Sequence, residues 1–98
     1  MILGRYNKQP ADVSDYDLDC ADWLRDDETI ASATATVACT STPANMAMIV
    51  DAVTTALTAV RVRLSGGTAG QSYKSTITVT TSSGRVEQTE FVIECREF

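Results

Sequence analysis

Tyr73-Lys74-Ser75-Thr76-Ile77-Thr78-Val79-Thr80-Thr81 is the stretch that decides the fold. Tyr73, Ser75, Ile77, Val79 and Thr81 share one side. Lys74, Thr76, Thr78 and Thr80 share the other. A period of two makes one dry and one wet face only in a strand, because successive Cβ atoms point to opposite sides. Before it stands Leu64-Ser65-Gly66-Gly67-Thr68-Ala69-Gly70, a strand end running into a glycine loop. After it comes Ser82-Ser83-Gly84, where the glycine supplies the positive φ of a hairpin turn. A last strand then turns Thr89, Phe91, Ile93 and Cys95 inward and Glu90, Glu94 and Arg96 outward.

The same alternation extends toward the N-terminus. Val60, Val62 and Leu64 face in while Arg61 and Arg63 face out. A strand over 29–39 turns Ala33, Ala35, Val37 and Cys39 inward. In 13–20, Tyr16, Leu18 and Cys20 alternate with Asp15, Asp17 and Asp19. Aspartates are poor strand formers, and charge blocks unwanted pairing, so this strand is expected at a sheet edge. The stretch from Met46 to Ala59 is ambiguous. Met46, Ile49, Val50, Val53 and Leu57 fit helical spacing, yet Val, Thr and Ile dominate. The reading is two short strands, 46–50 and 57–64, with a turn near Asp51; a short helix is the alternative. Six or seven strands with turns about every ten residues describe an all-β, two-sheet sandwich. Residues 1–11 hold Gly4 and Pro10 and show no periodicity, so they read as an N-terminal arm. Residues 12–98 form a single domain.

Composition narrows the function. The 98 residues contain no histidine, which removes the usual base near neutral pH and the commonest metal ligand. Cys20, Cys39 and Cys95 fit no metal spacing and read as free, buried small hydrophobes. No apolar run is long enough for a membrane-spanning helix, and Met1–Arg5 turns polar too early for a signal peptide, so a cytoplasmic site of synthesis and assembly is expected. The net charge of −5 is uneven: +2 over residues 1–11, −7 over 12–28 and zero beyond. An acidic block repels phosphates, which argues against a nucleic-acid partner.

Motif-like features have plainer readings. Asp15-x-Asp17-x-Asp19 resembles the start of a calcium loop, but Cys20 sits where a glycine must turn the chain and Asp26 where a bidentate glutamate belongs. Ser65-Gly66-Gly67-x-x-Gly70 leads into a strand rather than the helix a phosphate cradle requires. Tyr16 and Trp23 could stack on a sugar, although both sit at apolar positions of their segments. No nucleophile–base pair stands out. No catalytic residue, cofactor or metal is expected, and an enzyme is not.

Two blocks of sequence carry a family likeness. The first is Lys8-x-Pro10-x-x-Val13-x-Asp15-Tyr16-x-Leu18-Asp19, with Trp23-Leu24 and Asp27-x-Thr29-Ile30-Ala31-Ser32. The second is Val62-x-Leu64-Ser65-Gly66-Gly67-Thr68-Ala69-Gly70-x-x-Tyr73, with Thr78-x-Thr80-Thr81-x-x-Gly84-Arg85. Together they resemble small tailed-phage virion proteins known as fibre-tail adaptors. The resemblance implies an immunoglobulin-like β-sandwich of about six or seven antiparallel strands. It also implies a structural role in the virion, joining tail or neck to fibres or neighbouring virion proteins, and no catalytic residues. The charge split adds candidate contacts. Arg5, Tyr6 and Lys8 of the arm and Asp15, Asp17 and Asp19 of the acidic strand offer opposite signs to neighbours in a symmetric homo-oligomer. A carbohydrate-binding or adhesive module built on Trp23 and Tyr16 is the alternative.

Overall fold

A computed structural model describes residues 2–41 and 47–96. It contains β1 (Ile2–Lys8), β2 (Ser14–Asp19), β3 (Ile30–Cys39), β4 (Met48–Thr55), β5 (Ala59–Gly66), β6 (Ser72–Thr81) and β7 (Val86–Cys95). They form two sheets, one ordered β1-β7-β6-β3 and one ordered β2-β5-β4. All pairs are antiparallel except β1 with β7, which is parallel.

The alternating strands build the core as their sequence requires. Val60, Val62 and Leu64 of β5 are fully buried. Tyr73, Ser75, Ile77, Val79 and Thr81 of β6 meet them from the other sheet, with Thr89, Phe91, Ile93 and Cys95 of β7. Ala33, Ala35, Val37 and Cys39 pack against this cluster from β3. The acidic strand β2 lies at a sheet edge, paired only with β5. None of the three cysteines forms a disulfide, and the Cys39 thiol donates to Gln71 Oε1 at 3.5 Å. Burial pushes the thiols of Cys20 and Cys95 upward in pKa.

Two expectations need correction. Residues 2–8 are not an arm: they lie along β7, from Ile2 opposite Glu90 to Lys8 opposite Cys95. Met1 itself is outside the described residues. There is also no turn at Asp51. β4 runs on to Thr55, with a register shift between Val50 and Ala52, and the chain reverses at residues 56–58. The shift makes Asp51 the extra residue of a β-bulge. Inward positions are then Met48, Val50 and Val53, a spacing that imitates a helix. Ile49 and Leu57, which completed the helical pattern, are exposed.

The glycine loop is shaped by contact. Gly66 has a φ of 74°, and a Cβ there would lie 2.4 Å from the carbonyl oxygen of Ala47. The loop then wraps over Tyr73, whose hydroxyl accepts the Thr68 N–H at 3.1 Å. Tyr73 is fully buried, so its phenol would be unpaired without that bond.

Candidate interaction surfaces

The residues expected to meet partners are placed unevenly. Lys8 is 1% exposed. Its Nζ donates to the carbonyls of Gly66 at 2.7 Å, Gln9 at 2.8 Å and Pro10 at 3.4 Å. All three donor positions of the amine are used, and the side chain ties β1 to the end of β5. Lys8 is an internal staple and presents no charge to a neighbour. Tyr6 is 43% exposed but packs on Tyr16 and Phe91, with ring centroids 5.2 and 5.8 Å away. Arg5 pairs through its backbone with Val92, and its side chain lies outside the described residues.

The acidic strand is also less available than its charge suggests. Asp15 lies opposite Arg63 and Asp17 opposite Arg61, and both pairs are forked ion pairs. The arginines that face outward on β5 thus neutralise two of three β2 carboxylates. Each arginine holds its aspartate below the usual carboxylate range in pKa. These pairs are largely exposed, so water screens them and they add little stability. Asp19 differs: it lies opposite Ala59 and accepts the Ala21 N–H at 2.9 Å.

Most of the carboxylates without an ion pair among the described residues sit at one end of the sandwich. That end gathers the β2–β3 loop, the 56–58 reversal and the β6–β7 hairpin. Backbone bonds from Cys20 to Thr58, Ile30 to Leu57 and Ser82 to Thr29 join the three. Exposed Asp19, Asp22, Asp26 and Asp27 stand there without an ion pair among the described residues. Leu57 and Val86, at 72% and 61% exposure, add apolar surface to the same end.

Beneath this rim lies a polar cluster that sequence reasoning missed. The Glu28 side chain is 6% exposed. One oxygen, Oε2, accepts from Arg85 Nε at 3.1 Å, Ser83 Oγ and Thr81 Oγ1, and the other, Oε1, accepts from Arg85 Nη2 and the Arg25 N–H. Arg85 also stacks 4.8 Å from the centre of the Trp23 ring. The loop and the hairpin are thereby locked together. Arg85 first, then Ser83, hold the Glu28 carboxyl well below its usual pKa range. The sign follows directly: a depressed folded value adds stability above the unfolded value of about 4.3, lost as pH falls below it. Glu28→Gln is therefore expected to lower the melting temperature most at neutral pH, with the gap to the native chain starting to narrow below about pH 4 and still shrinking at pH 3. Melting scans from pH 7 to 3 check this.

Tyr16 and Trp23 form no shared platform. Tyr16 lies against Tyr6 and Phe91, whereas Trp23 lies under Arg85.

A family model described as Podophage GP4 fiber-tail adaptor protein gp77 matches residues 8–94. No protein of curated function matches the chain.

Proposed function

Because the chain belongs to the podophage GP4 fibre-tail adaptor family, we propose that it joins the tail to fibres or neighbouring virion proteins by surface complementarity. It is a structural component of the virion, and the reading assigns it no catalysis. The observation that carries this role is the division of its charge. The outer face of β2 and β5 is balanced by ion pairs, whereas at the loop end Asp22, Asp26 and Asp27 make no ion pair among the described residues and stand beside Leu57 and Val86. Such a surface suits a basic neighbour with an apolar centre.

The reading includes a symmetric homo-oligomer in the particle, assembled in the host cytoplasm. It also includes the immunoglobulin-like form of the sandwich. The strand order β1-β7-β6-β3 over β2-β5-β4 supports that form. So does a tyrosine at the start of the sixth strand bonding back to the preceding corner. Ser75 occupies the site two residues later, where antibody domains place a cysteine, so no disulfide joins the sheets there.

Particles assembled without this chain test the role. Filled heads with tails but no attached fibres are expected in electron micrographs. Fibre-bearing particles that lack the chain would refute it.

A further inference from the structure

The edge of β7 is only half covered. β1 lies along it from Glu90 to Cys95, yet β7 begins at Val86. Among the described residues, no strand flanks Val86–Thr89 on the side away from β6. Two bonds fix which backbone groups point there. The Cys95 N–H donates to Gln71, on the β6 side, and the Arg96 N–H donates to Lys8, on the β1 side. Alternation back along the unbroken β6–β7 ladder turns the N–H and C=O of Val86 and Gln88 to the open edge. Glu87 and Thr89 bond toward β6.

A cleft adjoins this open half-edge. It is lined by Leu18, Cys20, Trp23 and Val79, together with Asp19, Glu87 and Thr89, and has a volume of about 160 Å³. A cavity near 150 Å³ admits a benzene ring, so the cleft can take one leucine or phenylalanine side chain. Thr89 Oγ1 is buried there with no hydrogen-bond partner among the described residues. Asp19 and Glu87 are exposed and make no ion pair among the described residues.

We propose that Val86–Thr89 is a strand-addition site for an extended segment of another virion protein, one carrying an apolar side chain flanked by lysine or arginine. A strand laid on this edge would bond Val86 and Gln88. It would direct the side chains on the Glu87–Thr89 face toward the cleft. These two carboxylates, neither in an ion pair among the described residues, select basic flanking residues. They disfavour a second copy of this chain, whose net charge is −5. The inference rests on the adaptor reading only for the source of the strand.

Gln88→Pro tests it. Proline here removes an N–H aimed at the open edge and none bonded to β6, a position where edge strands tolerate it. Gln88→Ala is the control. It loses the 3.1 Å bond from Nε2 to Thr78 Oγ1 but keeps the backbone N–H. The alanine variant is expected to enter particles at the native level and the proline variant at less than a tenth of it. Equal incorporation of the two would overturn the proposal. Should Gln88→Pro fail to fold, Glu87→Lys, which keeps every backbone group, is expected to reduce incorporation similarly, and normal incorporation would count against the site. A photo-crosslinking residue at Val86 in assembled particles is expected to capture a different virion protein. Capture of a second copy of this chain, or of nothing, would overturn the chosen occupant. The adaptor reading fails separately, if the native chain is itself missing from purified particles.

Discussion

A chain shortened to begin at Gln9 is expected not to hold its fold at room temperature. The loss of β1 strips the β7 edge from Glu90 to Cys95 and uncovers Phe91 by removing Tyr6. It also removes Lys8, and with it the donor that satisfies the Gly66 carbonyl. A buried acceptor left without a partner costs about 1–3 kcal/mol. Removing a large buried side chain adds about 2–5 kcal/mol. A domain of this size has only about 5–15 kcal/mol in total. Single substitutions separate the parts. Lys8→Met keeps the volume and loses the donors, so about 2 kcal/mol is expected; Lys8→Ala also leaves a cavity, so about 4 kcal/mol is expected. Urea unfolding measures both. A shortened chain with the native midpoint would return residues 1–8 to the status of a detachable arm.

That strand was hidden from the sequence for a physical reason. Its inward positions are Gly4, Tyr6 and Lys8. A glycine and a lysine stand where apolar residues would have announced a period of two, and only the long-range contact with Gly66 shows why lysine belongs there. β5, β6 and β7 were legible because each buries every second residue against the opposite sheet. β4 was misread because its bulge inserts one residue, and a spacing of two then three looks helical in one dimension.

The surface was legible in its totals and not in its pairings. The acidic block 12–28 stands out in the sequence, but its partners lie far along the chain. Asp15 and Asp17 are neutralised by Arg63 and Arg61, and Glu28 by Arg85. Separations of 44 to 57 residues leave no local pattern to read. What the sequence offered was the alternation that put Arg61 and Arg63 outward; the antiparallel register of β2 and β5 did the rest. Charges left over after pairing, rather than the full run, define where a neighbour can dock.

Gly66→Ala is expected to be the most damaging loss or gain of a single methyl group in the protein. At φ of 74° an L-residue costs about 1–2 kcal/mol. The added Cβ would also stand 2.4 Å from the Ala47 oxygen, a backbone atom that cannot swing aside. Relief requires moving the start of β4, where Met48 pairs with Gly66 and is itself buried. It also shifts the Gly66 carbonyl from Lys8, so β1 loosens with β4. The combined penalty is expected to be about 4 kcal/mol. Gly84→Ala is the internal control. Its φ of 89° is just as unfavourable, but nothing lies within 4 Å of its Cβ. It should cost only the backbone share, about 1–2 kcal/mol. If urea unfolding finds the two substitutions equal, the close approach of Gly66 to Ala47 does not constrain this fold. A clear excess at Gly66 would show that the glycine loop joins both sheets through one carbonyl and one missing methyl group.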